Sequence, residues 1–245
     1  MPRSCRAFWL PRRGHSRSEY EDAFAKDEAA GRYAVADGAS EGCFTGLWAE
    51  LLVESFVSST CDTASSWPES LTAAQEHWDT DVRARNLPWY AEQDVNRGAY
   101  CTFLGLVLTS PAADRYEWQA LAVGDACVLH TRDGVLLHAF PIDRAEQFNN
   151  FPKLVGSRMP VAESHARQSL WADGRGHAGD RLWMMTDALA QFCLSEAEAG
   201  GKPWNQLELF MTISEAEDPL TPWIERLRDA SRLRNDDVTL LAIEL

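Results

Sequence analysis

The amino-acid sequence predicts an α+β protein, an antiparallel β-sandwich flanked by α-helices. Three observations carry that expectation. Strand-like apolar runs and helical stripes follow one another in blocks, with no βαβ alternation. Asp133-Gly134 stands between two apolar runs, a strong local hairpin signal and therefore a signal of antiparallel pairing. Residues 116–123, "YEWQALAV", alternate apolar with polar as a strand with one wet face does. No internal repeat and no linker divides the chain, so residues 1–245 are expected to form one domain.

The elements follow in order. "AFWL" (7–10) is an edge-strand candidate, followed by the polar, basic stretch "PRRGHSRSEYED". "RYAVADG" (32–38) reads as a second strand, with Asp37 at its tip. From Thr45, Leu47, Leu51, Leu52 and Phe56 recur at helical spacing, and Leu71, Ala74, Trp78 and Val82 make a second helical stripe beyond a Ser/Thr/Pro break. "YCTFLGLVL" (100–108) is a continuous apolar strand, and "CVLHTRDGVLLHAF" (127–140) is the hairpin. Residues 141–180 lack periodicity and are expected to be a long irregular excursion of functional or mobile character. "DRLWMMTD" (180–187) resumes as a strand, three helical segments follow, and "DDVTLLAIEL" (236–245) closes the chain as an apolar strand.

Composition removes several classes of function. Hydrophobic residues at 45% and charged residues at 24% are ordinary globular usage, which sets aside disordered, collagenous and coiled-coil chains. A net charge of −14 disfavours contact with a phosphate backbone, so no nucleic-acid partner is expected. The six cysteines show no C-x-x-C spacing, which argues against zinc clusters and disulfide scaffolds and favours a reducing, cytoplasmic setting. The N-terminal apolar run is too short for a secretory segment, and no stretch approaches the roughly eighteen apolar residues of a membrane span. The six histidines have no paired ligand spacing, and the ten tryptophans are expected in the core or at its rim.

Acids fall at the ends of four apolar strands: Asp37 after "RYAVA", Asp125 after "ALAVG", Asp187 after "RLWMMT", and Asp236 with Asp237 before the last strand. One acid at a strand end is ordinary loop chemistry. Four would repel one another if they met, unless cations lay between them. Oxygen donors without His or Cys suit Mg²⁺ or Mn²⁺ and disfavour zinc. Whether the four ends meet depends on the fold.

In order along nearly its whole length, the chain resembles the metal-dependent protein phosphatases of type 2C, the PPM family. "RSEYED" (17–22) matches the family's Arg, three intervening residues and then Glu-Asp, and "VADG" (35–38) its strand end. "VGDACVLHTRDG" matches its "GDS" hairpin, "MTDAL" its "SDG" strand end, and "DDVT" (236–239) its final "DN-x-[ST]". The resemblance implies a four-layer α-β-β-α sandwich of compact bacterial type, with residues 141–180 as the variable flap. It implies a Ser/Thr protein phosphatase that hydrolyses phosphoserine and phosphothreonine with a hydroxide bridging two Mn²⁺ or Mg²⁺ ions.

Position by position, it implies that Asp37 bridges the ions, with Asp187 and Asp236 completing the first site. Gly38 would offer its carbonyl to the second ion, and Glu21 would hold that ion largely through water. Asp125 would support a weaker third ion. Asp22 would orient metal-bound water, and Arg17 would bind substrate phosphate through its planar fork. By the same analogy, phosphoproteins and a cognate Ser/Thr kinase are the expected partners, and the chain is expected to act as a monomer, with no membrane partner.

The pattern is broken in places. Ala126 replaces the serine of "GDS", Ala188 the glycine of "SDG", Asp237 the final Asn, and Ala39 a His present in some members; Glu41 is an added acid near the expected mouth. These changes keep two rivals open: a pseudophosphatase that docks phosphoproteins without turning them over, and a phosphoesterase acting on a small metabolite.

Overall fold

The structure is a computed structural model and describes residues 4–39, 42–59, 66–85, 87–88, 92–149, 151–160, 169–214 and 217–245. In chain order the elements are β1 (Ser4–Leu10), β2 (Ala23–Asp27), β3 (Arg32–Gly38), α1 (Thr45–Ser58), α2 (Trp67–Arg83), α3 (Glu92–Arg97), β4 (Tyr100–Ala112), β5 (Arg115–Val123) and β6 (Cys127–Arg132). They continue with β7 (Val135–Phe140), β8 (Val155–Gly156), β9 (Leu170–His177), β10 (Arg181–Met185), α4 (Asp187–Glu198), α5 (Trp204–Thr212), α6 (Leu220–Asp229) and β11 (Val238–Glu244). Two antiparallel sheets result, with strand orders β1-β11-β10-β6-β7 and β2-β3-β4-β5-β9, and β8 pairs with β4.

Alternation along each strand builds three apolar layers from two sheets. Tyr33 and Val35 on β3, Leu104 and Leu106 on β4, Leu182 and Met184 on β10, and Leu241 and Ile243 on β11 fill the space between the sheets. Their neighbours Ala34, Ala36 and Phe103 face α1 and α2 instead. Trp183, Met185, Leu240 and Ala242 face α4, α5 and α6. Strands buried on both faces explain the continuous apolar runs, and the result is the expected α-β-β-α sandwich.

The α2 stripe of Leu71, Ala74, Trp78 and Val82 is fully buried. On α1 the buried stripe is turned relative to the sequence reading: Trp48, Leu52 and Phe56 are buried, whereas Leu47 and Leu51 are half-buried. Each large side chain buried this way contributes about 1.5–3 kcal/mol. Among the described residues no helix is long and apolar enough to cross a membrane.

One expectation is corrected. The stretch 141–180, read as irregular, contains β8 and the eight-residue strand β9; residues 150 and 161–168 lie outside the described residues. Strand β9, "LWADGRGH", is hard to recognise because it carries two glycines and no β-branched residue. A Cβ on Gly174 would come within 2.2 Å of the Trp118 ring, and one on Gly176 within 2.3 Å of Leu245 Cδ1. The glycines are there because two bulky side chains remote in sequence, Trp118 on the paired strand β5 and Leu245 just after β11, cross the backbone closely. β2 was also not anticipated, being short and half polar.

Candidate functional site

Registry decides where the acids meet. Gly38 at the end of β3 pairs with Cys101 near the start of β4, and Val123 at the end of β5 pairs with Phe103. In the other sheet Met185, ending β10, pairs with Cys127, which opens β6, and with Leu240; Val238, which opens β11, pairs with Leu10. Asp37 and Asp125 therefore share one end of their sheet, and Asp125, Asp187 and Asp236 share one end of the other.

Hydrogen bonds join the two ends. Asp22, just before β2, is buried, and its Oδ2 accepts from Thr186 Oγ1 at 2.9 Å and from Thr239 Oγ1 at 2.6 Å, both residues of the opposite sheet. The Thr239 proton being committed to Asp22, Tyr20 Oη donates to Thr239 Oγ1 at 2.5 Å. The Thr239 N–H donates to Thr186 Oγ1 at 3.0 Å. These hydroxyls were missed as functional residues, although Thr186 and Thr239 stand inside the quoted "MTDAL" and "DDVT" motifs.

Electrostatics show the convergence. Burial, followed by repulsion from Asp236 and Asp125, pushes the half-buried Asp37 carboxyl up to about 7, partly offset by Arg234. Burial likewise raises Asp125 to about 6, with Arg234 opposing the rise and Asp236 adding to it. Burial and the neighbouring Asp37 push Asp22 upward. Asp187 opens α4 and is ion-paired with Arg234, whose Nε lies 3.3 Å from Asp236 Oδ2. Arg228, buried on α6, donates to the Asp236 main-chain carbonyl and so pins the turn.

Around this cluster, Asp237 accepts from the Arg12 N–H at 2.7 Å through Oδ1 and from the Glu21 N–H at 2.8 Å through Oδ2. A carboxylate serves two main-chain donors here, which a single Asn oxygen in the same place would not. Glu21 Oε1 accepts from Thr45 Oγ1 at 2.6 Å, and Glu21 Oε2 lies 3.7 Å from the Arg12 guanidinium. A Cβ on Gly38 would stand 2.6 Å from the Glu21 carbonyl oxygen, so this glycine lets the Glu21 main chain approach β3.

Arg17 lies at the rim. Its exposed guanidinium stacks 5.0 Å over Trp9, whose ring lies 4.8 Å from Tyr20, and Tyr20 leads through Thr239 to Asp22. Arg17 also lines a cavity of about 350 Å³ with Arg6, Lys26 and Asp218. Ala126 packs into the apolar layer between the sheets and Ala188 into the layer under α4, which accounts for their small side chains. Glu41 lies outside the described residues.

Among the described residues no three carboxylates, imidazoles or thiols yet enclose one cation-sized point. The donor set nevertheless fits a hard cation. Asp22 Oδ1, both Asp125 carboxylate oxygens and Asp187 Oδ1 are buried without a hydrogen-bond partner among the described residues. A buried carboxylate oxygen left unpaired is costly, and a dication meets that deficit directly.

The family model described as Protein phosphatase 2C matches residues 12–238. The chain belongs to the protein phosphatase 2C family. Solved structures agree on the family's fold. The Mycobacterium tuberculosis serine/threonine phosphatase PstP/Ppp is similar at 17% identity and a TM-score of 0.64, with 98% of each chain covered. The PstP catalytic domain solved in complex with two manganese ions gives 16% identity and a TM-score of 0.60, covering 98% of this chain and 97% of that one. The Mycobacterium smegmatis PPM Ser-Thr phosphatase MsPP, solved with cacodylate, gives 14% and 0.57 over 100% of this chain and 99% of its own. No curated protein matches the chain in sequence.

Proposed function

We propose that this protein phosphatase 2C member is an active Ser/Thr phosphatase, hydrolysing phosphoserine and phosphothreonine esters with two Mn²⁺ or Mg²⁺ ions. The observation that carries the reading is the group of buried, unpartnered carboxylate oxygens on Asp22, Asp125 and Asp187 at the acid-lined end of the sandwich. The two manganese ions in the PstP complex support it by analogy.

Asp37, Asp187 and Asp236 would hold the first ion. Asp37, the Gly38 carbonyl and Glu21 would hold the second, with Asp125 and Asp187 serving a weaker third. Bound there, the cations would supply Lewis acidity, lowering the pKa of water and neutralising phosphoryl oxygens. The remaining work belongs to the chain. Thr186 and Thr239 fix one oxygen of Asp22, so its other oxygen is held ready to take a hydrogen bond from the attacking water. Arg17, its guanidinium carbon over the Trp9 ring, would present its fork at the rim for the phosphate. Asp237 keeps Glu21 and Arg12 in register with β11.

The natural substrates are phosphoproteins made by a partner Ser/Thr kinase, and the chain works as one domain and a monomer. The five described cysteines are all free thiols, four of them buried, which supports a reducing, cytoplasmic setting.

Hydrolysis of a phosphothreonine peptide tests the reading. Turnover with Mn²⁺ should vanish with chelator and fall about 10³-fold or more in Asp37→Asn. Metal-dependent binding of the peptide without turnover would instead show a docking module, and turnover of small phosphate esters alone a metabolite phosphoesterase.

A further inference from the structure

Arg234, in the turn between α6 and β11, places a guanidinium among the acids. It is ion-paired with Asp187 Oδ2, its Nε lies 3.3 Å from Asp236 Oδ2, and its charge reaches Asp37 and Asp125. Its side chain is 33% exposed while that of Asp187 is 11% exposed, so the arginine has a path to solvent that its buried partner lacks. Guanidinium carries donors and no acceptor, and it does not lose its proton in proteins. It cannot become a metal ligand, and it occupies a carboxylate oxygen that an ion would need.

We propose that Arg234 is a resident counter-ion of the metal-free protein, holding Asp187 and Asp236 together, and that divalent cations enter by displacing it. The side chain then sets the cation concentration at which the site fills. The proposal rests on the metal-site reading of Asp37, Asp187 and Asp236 given above. Like charges compete for the same carboxylates, so removing the resident one strengthens binding of the incoming one.

The test is calorimetric titration of Mn²⁺ into the chelator-stripped full chain at low ionic strength, for the wild type, Arg234→Gln, Arg234→Lys and Asp37→Asn. Arg234→Gln should bind Mn²⁺ at least about tenfold more tightly, a difference of about 1.4 kcal/mol. Arg234→Lys, which keeps the charge, should stay within about threefold of the wild type. Without metal, Arg234→Gln should melt several degrees lower, and Mn²⁺ should restore it.

Equal or weaker binding by Arg234→Gln, with wild-type binding that still depends on Asp37, overturns the counter-ion and leaves the metal reading standing. No Mn²⁺ binding by any of the proteins overturns both. Should Arg234→Gln fail to fold, the Arg234 Nε–H resonance of the wild type serves in its place. Titration with diamagnetic Mg²⁺ should move that signal to a solvent-exchanging position, and a resonance that stays unmoved overturns the proposal.

Discussion

Strand β10 is flanked by two buried aspartates, and the protein treats them in opposite ways. Asp180, before the strand, accepts two hydrogen bonds from the Arg132 guanidinium at 2.6 and 2.8 Å, one from the His177 N–H at 2.9 Å, and contacts His130 Nε2 at 2.8 Å. Burial alone would raise its pKa, but Arg132, the His177 N–H and His130 outweigh it and hold the carboxyl at about 2. Asp187, after the strand, and its neighbours Asp22 and Asp125 keep buried oxygens with no partner among the described residues. One end of the sandwich is satisfied by its own side chains, and the other leaves carboxylate oxygens unpartnered among the described residues. A buried carboxylate with every partner in place reads as structural, and one left without partners is the candidate for binding a cation.

Asp180→Asn should produce the largest effect on this contrast. Leaving Arg132 and His130 without their carboxylate should cost about 2–3 kcal/mol, read by denaturant unfolding, while Mn²⁺ binding by the folded protein stays unchanged. At the acid-lined end the sign reverses. Asp125→Asn removes a buried, unpaired charge and should stabilise the chelated protein by about 1–2 kcal/mol at pH 7.5, read the same way.

The two ends also respond oppositely to pH. Asp37 and Asp125, raised to about 7 and about 6 from 3.8, bind protons more tightly when folded; their contribution is full below about 3.8 and is lost as pH rises to about 7. Asp180, lowered to about 2, contributes above about 3.8 and loses that contribution as pH falls through about 2. Melting curves of the chelated protein should therefore lose stability from these acids between about pH 4 and 7, and Mn²⁺ should cancel the loss at the upper end of that range. The smallest effect should come from Asp237→Asn. Forfeiting one of the two main-chain bonds to Arg12 and Glu21 should cost about 1 kcal/mol in the same unfolding assay.

The layered sandwich was legible because strands such as β3, β10 and β11 are apolar on both faces and end abruptly in acids. Asp37, Asp125, Asp187 and Asp236 could be named from those ends, but their meeting depends on pairings such as Gly38 with Cys101 and Met185 with Cys127, which no local pattern states. Strand β9 was hidden because its glycines answer to Trp118 and Leu245, residues remote in sequence. Thr186, Thr239 and Tyr20 read as ordinary polar residues until the fold placed them on Asp22. Arg234 and the Asp180 network escaped for the same reason: an ion pair between distant segments leaves no periodicity to read.

Counting the Mn²⁺ ions bound per chain by calorimetry at pH 7.5, for the wild type, Asp37→Asn and Asp180→Asn, tests the central claim most directly. The wild type should bind two ions, Asp37→Asn should bind at least about tenfold more weakly, and Asp180→Asn should match the wild type. A wild-type protein that binds no Mn²⁺, or binds it equally well without Asp37, would contradict the account.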